Sequence, residues 1–302
     1  MADRLICVFP GQGSQFVGMG REWWEADAGV RALYEEANEA LGYDLKQICF
    51  EGPEDTLRLT QHTQPAILVH SIAMWTQLRQ REVEPVMLAG HSLGEYSALV
   101  AAGSLSFADA VRTVHQRGTF MQSAVPPGEG AMAAMMRMKR DEVEALCEEF
   151  KQDGVLQPAN YNEPGQIVIA GGAAQVHAAV EAAKARKLGR SVLLNVSAPF
   201  HCAMLQPAAT QLDEVLSEVT FKAFEIPVIS NVTARLHTAP EAVRQLLVEQ
   251  VTASVRWEES MRYAIVEGCN AMLEVGPGTV LAGLMRRIDR EVTVLSAEDL
   301  LA

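Results

Sequence analysis

Val86-Met87-Leu88-Ala89-Gly90-His91-Ser92-Leu93-Gly94-Glu95-Tyr96-Ser97-Ala98-Leu99-Val100-Ala101-Ala102 passes from an apolar run through Gly-x-Ser-x-Gly into a helical pattern. Val86–Ala89 reads as a buried strand and Glu95–Ala102 as a helix, the flanks a nucleophile elbow requires. Glycines on both sides relieve a strained turn in which a Cβ would clash. The helix start aims free N–H groups at charge developing beside Ser92, and the Leu93 N–H is one candidate oxyanion donor. Chance occurrence of Gly-x-Ser-x-Gly is common in glycine-rich sequence, but correct flanking on both sides favours a nucleophilic serine.

Outward from that elbow, Leu5–Phe9 is a short apolar run ending in Pro10-Gly11-Gln12-Gly13-Ser14-Gln15, a loop whose glycines let backbone approach a ligand. Helical patterns fall near Glu35–Leu41 and over Pro65–Arg81, the latter with Ile67, Leu68, Ile72, Trp75 and Leu78 on one face. Strands alternating with helices predict a parallel α/β sheet. Gly128 to about Val196 reads differently. Strand Ala131–Met138, helix Asp141–Lys151 and strand Leu156–Tyr161 lead to a turn at Asn162-Glu163-Pro164-Gly165. Strand Gln166–Ala170, helix Ala174–Arg186 and strand Ser191–Val196 complete βαββαβ, the ferredoxin-like order. The expected organisation is a large subdomain of residues 1–126 and 197–302, with a small subdomain, 127–196, inserted into it. Two lobes make a cleft, a favoured place for ligands.

Composition sets the limits. The 302 residues are 49% hydrophobic and 21% charged, enough for a sizeable core. Twenty-five Lys plus Arg against 38 Asp plus Glu leave a formal charge of −13, which argues against nucleic acid or anionic lipid as a partner. Cys7, Cys49, Cys147, Cys202 and Cys269 are odd in number and scattered without CxxC, so neither a disulfide framework nor a metal site is expected, and a reducing cytoplasm fits. The amino-terminal apolar run is too short for a signal peptide, and no stretch is long enough to span a membrane.

A serine nucleophile needs a base, and seven histidines are available. His62, His70, His115 and His177 lie on helical patterns and suit surface or satisfied core positions. His91 sits inside the elbow with its side chain expected to point away, and His237 lies in a polar loop expected to be solvated. His201, in Ser197-Ala198-Pro199-Phe200-His201 where the chain returns from the small lobe, is the best of the seven.

Together these motifs resemble the malonyl-CoA:acyl carrier protein transacylase family. The resemblance runs through Phe9-Pro10-Gly11-Gln12-Gly13-Ser14-Gln15, Gly90-His91-Ser92-Leu93-Gly94-Glu95-Tyr96, Gln116-Arg117-Gly118 with Met121-Gln122, and Asn160-Tyr161-Asn162 with Pro164-Gly165-Gln166. It continues through Ala198-Pro199-Phe200-His201, Ser230-Asn231-Val232-Thr233 and Glu274-Val275-Gly276-Pro277-Gly278, in order over nearly the whole chain. It implies an α/β-hydrolase-like parallel core with a ferredoxin-like insert. It also implies a ping-pong transfer of malonyl from malonyl-CoA, through an acyl-serine, to the phosphopantetheine thiol of acyl carrier protein. Ser92 matches the nucleophile, His201 the base, Gln12 the second oxyanion-hole backbone beside Leu93, and Gln250 the residue whose main-chain carbonyl orients the histidine. Arg117 matches the arginine that grips the malonyl carboxylate. A planar guanidinium suits that task, although the surrounding helix pattern also permits a snorkelling surface arginine. Met121, Met132, Asn160, Asn162 and Phe200 are assigned to substrate binding. Phe200 and Leu93 are expected to favour malonyl over methylmalonyl.

An acidic carrier protein and a chain at −13 require a local basic face. Candidates are Lys184, Arg186, Lys187 and Arg190, a run without acids, and Arg286 with Arg287 on the carboxy-terminal helix; each could equally be a solvated helix face. No permanently bound cofactor is expected, malonyl-CoA being a substrate, and the protein is expected to act as a cytoplasmic monomer. The alternatives are a malonyltransferase serving a polyketide synthase or malonate decarboxylase, a serine thioesterase or hydrolase, and a catalytically silent binding module.

Overall fold

In the computed structural model, residues 4–152 and 154–301 are described; Met1, Ala2 and Asp3, part of the stretch read for a signal peptide, lie outside them. The strands are β1 (Leu5–Phe9), β2 (Met87–Gly90), β3 (Gly130–Met136), β4 (Leu156–Glu163), β5 (Gln166–Gly172), β6 (Arg190–Leu193), β7 (Val228–Ile229), β8 (Ala271–Glu274) and β9 (Thr293–Leu295). They form two sheets, one parallel in the order β7-β2-β1-β8-β9 and one antiparallel in the order β4-β5-β3-β6. The expected fold class, a parallel α/β core with a ferredoxin-like antiparallel sheet, is the one observed.

β1 is buried along its whole length because helices cover both faces of a parallel sheet. Its register sets Phe9 against Gly90 and Val8 against Glu274, so β1, β2 and β8 end at one level. The loops that leave them therefore share one rim, the carboxyl edge where open α/β sheets bind ligands.

The helix Thr60–Gln80 starts five residues earlier than expected and is buried nearly all round, where the sequence suggests a single apolar face. Pro65 lies within it and cannot bond the Gln61 carbonyl one turn back. His115 Nδ1 takes that carbonyl instead, at 2.9 Å. Gly118 lets the helix Phe107–Ser123 press close, since a Cβ there would meet the Thr60 carbonyl at 2.6 Å. This close approach carries Arg117 inward.

In the second sheet the β4–β5 connection is tighter than expected. Asn162 and Glu163 continue β4, and only Pro164 and Gly165 turn, with Gly165 at φ +86°. β4 is also tied to the segment following the helix Pro240–Gln250. Tyr161 and Val255 share a 2.9 Å backbone bond, as do Val255 and Ala159, and Gln157 spans from the Thr252 carbonyl to the Ala203 N–H. These bonds fix the loops carrying His201 and Gln250 against the second sheet. No described helix is long and apolar enough to cross a membrane.

Candidate active site

Ser92 occupies the turn between β2 and the helix Gly94–Ala101 with φ +52°, a left-handed conformation uncommon for serine. The turn closes only because of its glycines: a Cβ on Gly94 would run into the Phe9 carbonyl, and one on Gly90 into Gly94 itself. Asn231 holds the elbow from outside, accepting the Ser92 N–H at 2.7 Å and donating to the Gly90 carbonyl at 2.6 Å.

His201, also at positive φ (+58°), brings Nε2 to 2.8 Å from Ser92 Oγ. Its Nδ1 lies 2.8 Å from the Gln250 main-chain carbonyl, an acceptor only, so Nδ1 carries the proton and Nε2 is left bare toward the serine. Burial, reinforced by the positive charge of Arg117, pushes the imidazole down to about 3, while bonds to the Gln250 and Ala253 backbone oppose the shift. At neutral pH it is therefore an uncharged acceptor. Among the described residues no carboxylate touches it; a carbonyl fills the position an acid occupies in a Ser-His-Asp triad.

Arg117 is buried, with 1% of its surface exposed, and so is not a surface arginine. It donates from one terminal nitrogen to Gln64 Oε1 at 2.8 Å. From the other it donates to Gln250 Oε1 at 2.9 Å and Ser92 Oγ at 3.2 Å. Its Nε–H has no partner among the described residues. The guanidinium carbon stands 5.5 Å from the Tyr96 ring centre, and burial pulls its pKa down. Two neutral amides and a hydroxyl hold this cation, with no acid in contact among the described residues, which leaves it short of a counter-ion.

A cavity of about 140 Å³ opens over these groups. Gln12, Leu93, Met121, Met132, Asn160 and Phe200 line it, as the sequence suggests, together with Gln64, Leu194 and Val196. Neither the Gln12 nor the Leu93 N–H is spent on a protein acceptor among the described residues. Asn162 is not on the wall. Its carboxamide accepts from His91 Nε2 at 2.9 Å and donates to Gln166 Oε1, and His91 lines the cavity beside the nucleophile instead of turning away. The β4–β5 register explains the difference: Asn160 pairs with Val168, but the ladder slips between Tyr161 and Glu163, so Asn162 is the extra residue of a bulge and its carboxamide is turned to His91 and Gln166. A larger cavity of about 560 Å³ lies across the glycine loop, between Trp23, His70, Glu274 and Arg286, and holds no nucleophile–base pair.

Two polar residues at the site escape a local reading. Gln64 falls in the polar stretch Gln61-His62-Thr63-Gln64 just before the expected helix start at Pro65, and the structure buries it in the first turns of that helix. His237 is buried where solvation was expected, with Nε2 donating to Glu95 Oε1 at 2.8 Å. Its loop has no periodicity, and its partner is 142 positions away. The basic candidates are all exposed, but Arg186 is paired with Glu149 at 2.5 and 2.7 Å and Arg287 with Glu163 at 3.0 Å. The run free of acids in sequence is thus not free of them in space. Lys184, Lys187, Arg190 and Arg286 make no ion pair among the described residues. All five cysteines are buried and unbridged; Cys202 donates to the Pro199 carbonyl and burial pushes its thiol up to about 11, which makes it inert. No cluster of metal-ligating side chains occurs among the described residues.

Residues 6–300 match the family described as acyl transferase domain. The chain belongs to that family. This acyl transferase is 45% identical to the malonyl CoA-acyl carrier protein transacylase of Bacillus subtilis, over 98% of this chain and 94% of that one. Among solved structures, the malonyl CoA-acyl carrier protein transacylase from Coxiella burnetii superposes with a TM-score of 0.96 at 39% identity, covering 99% of this chain and 96% of the other. A malonyl-transacylase in complex with a type II PKS acyl-carrier protein superposes with a TM-score of 0.94 at 41% identity, covering 97% and 95%.

Proposed function

We propose that this acyl transferase moves a malonyl group from malonyl-CoA to the phosphopantetheine thiol of an acyl carrier protein, through a malonyl ester on Ser92. The observation that carries the reading is the buried Arg117 guanidinium, 3.2 Å from Ser92 Oγ and without an acid partner among the described residues. Malonyl differs from acetyl by one carboxylate, and a planar cation with unspent N–H groups beside the nucleophile is what that carboxylate requires.

Chemistry follows from the arrangement. His201 Nε2 accepts the Ser92 Oγ proton as Oγ attacks the thioester carbonyl. The N–H groups of Leu93 and Gln12 receive the oxyanion, each such donor being worth a factor of ~10²–10³. Collapse expels the CoA sulfur, which takes the proton from His201. The carrier thiol then gives its proton to His201 and attacks the acyl ester, and the returning proton regenerates Ser92. Gln250 acts through its main-chain carbonyl by holding the imidazole tautomer. Met121, Met132, Asn160 and Phe200 bound the acyl group, with Phe200 and Leu93 crowding its α-carbon, and Asn162 contributes through His91. Segment 127–196 acts as an inserted lobe closing the cleft. The enzyme works as a cytoplasmic monomer without a resident cofactor, and Lys184, Lys187, Arg190 and Arg286, exposed and outside any ion pair among the described residues, meet the acidic carrier.

A carrier protein of polyketide synthesis is the second reading for the acceptor, favoured by the likeness to a malonyl-transacylase bound to such a partner. Intact-mass measurement after mixing with malonyl-CoA tests the proposal. A malonyl adduct is expected on the parent and absent from Ser92→Ala, and holo carrier protein should discharge it faster than water does. No adduct, or discharge to water at the same rate, would refute transfer in favour of binding or hydrolysis.

A further inference from the structure

Glu95 is fully buried, three residues after the nucleophile in the first turn of the helix Gly94–Ala101, and the reaction described above gives it no part. Three N–H donors converge on its carboxylate. His237 Nε2 meets Oε1 at 2.8 Å, while the Asn231 backbone N–H and Gln250 Nε2 meet Oε2 at 3.0 and 2.7 Å. The Gln250 side chain is a two-ended amide. Its Nε2 faces Glu95 and the Ser92 carbonyl, the latter at 3.1 Å, and its Oε1 faces the Arg117 guanidinium.

A carboxylate offers acceptors only, and a guanidinium donors only. With Glu95 at one end, the amide has one orientation that satisfies both neighbours. Turned over, it would set its oxygen against carboxylate and carbonyl oxygens and its NH2 against the donors of Arg117. His237 in turn fills the second carboxylate oxygen; stacked on Phe224 at 5.8 Å, it has little freedom to leave.

We propose that Glu95 is a positioning residue for acyl-group selectivity. It fixes the Gln250 amide so that its oxygen holds Arg117 in the pose that receives the substrate carboxylate. Negative charge thereby reaches the guanidinium through one amide and not by contact, which leaves N–H groups free for the substrate. The inference rests on the malonyl reading of Arg117, and the two fail differently. If that reading is wrong, the parent enzyme shows no preference for malonyl-CoA over acetyl-CoA. If only the present inference is wrong, the parent preference stands and the variants share it.

The test is the first half-reaction, acyl-serine formation, measured with malonyl-CoA and acetyl-CoA on the parent, Glu95→Leu and Glu95→Gln, with thermal melts as a folding check. Leucine keeps bulk but accepts nothing. It should cut malonyl kcat/KM about 10- to 100-fold, chiefly through KM, and the malonyl-to-acetyl ratio by about tenfold or more. Glutamine still offers one acceptor, and His237 can change tautomer to meet its NH2, so the ratio should fall less. A parallel loss with both substrates in folded protein, or a parental ratio in both variants, would overturn the proposal. If Glu95→Leu does not fold, the ratio in Glu95→Gln decides alone: a fall of about threefold or more supports it, and no change refutes it.

Discussion

Replacing Arg117 with alanine separates the roles that meet at Ser92. A guanidinium has five N–H groups. Three are engaged, by Gln64, Gln250 and Ser92 Oγ, and the Ser92 bond weakens when Oγ becomes an ester, whose alkoxy oxygen is a poorer acceptor than a hydroxyl. Nε–H and one Nη1–H remain on different edges of the group, and the Nη2–H released by Ser92 supplies the neighbour that a bidentate grip on the malonyl carboxylate needs. Hydrogen bonds to charged groups contribute ~1.5–3 kcal/mol each, and removing one partner of a buried pair costs ~3–5 kcal/mol. Two lost bonds therefore correspond to roughly 10²–10⁴ in malonyl kcat/KM, nearer the lower end because water can enter the space the side chain leaves. Acetyl-CoA has no carboxylate to lose, so its kcat/KM should stay within about tenfold of the parent value or rise. The charge of Arg117 also depresses His201, so the acid limb of the remaining acetyl transfer should move to higher pH in the variant. Arg117→Lys keeps a charge but supplies a shorter point donor, and should recover only part of the malonyl rate. The assay is CoA release in the first turnover with the two substrates side by side. Parallel losses, or an unchanged malonyl preference, would remove Arg117 from the carboxylate site.

Acid should weaken the fold through histidines that are buried uncharged. Burial pushes His70 from 6.5 down to about 4, so the unfolded chain takes up protons that the folded chain refuses. Stability from His70 is complete above pH 6.5 and is lost as pH falls toward 4, a contribution of about 3 kcal/mol at most. His70→Gln should flatten the dependence of Tm on pH across that window, and a slope equal to the parent's would contradict the assignment. At the carrier interface, Lys187→Glu should raise the carrier-protein KM about two- to tenfold while hydrolysis of malonyl-CoA is unaltered. Arg287→Glu should act less, because Glu163 already occupies Arg287. Transfer that ignores both substitutions and added salt would count against a basic docking face.

Local pattern carried much of this molecule. β1 is Leu5–Phe9 as the apolar run suggests, and the elbow lies where its glycines and flanking apolar runs put it. The βαββαβ order survives with boundary shifts of at most three residues, and the resemblance supplied Arg117 and Gln250, which periodicity alone could not. What stayed hidden depends on contacts between distant segments. β7 and β9 have two and three residues, too few to show a period. His237 looks like a loop residue until Glu95 comes to meet it, and Arg186 and Arg287 look unpaired until Glu149 and Glu163 arrive from other elements. Asn162 was misread for a simpler reason: Asn-Glu-Pro-Gly is rich in turn formers, yet a two-residue turn with Gly165 in the left-handed region needs only its second half.

The groups proposed to act together come from five separated places: the loop after β1, the elbow after β2, the helix Phe107–Ser123, the loop after β6, and the end of the helix Pro240–Gln250. No two of them are sequence neighbours, and the last to be made, Gln250, orients the base of all the rest. A chain still being synthesised therefore carries its serine long before it carries the imidazole and the carbonyl that would activate it. Activity in this protein doubles as a report that the chain has been completed past residue 250 and folded back on itself.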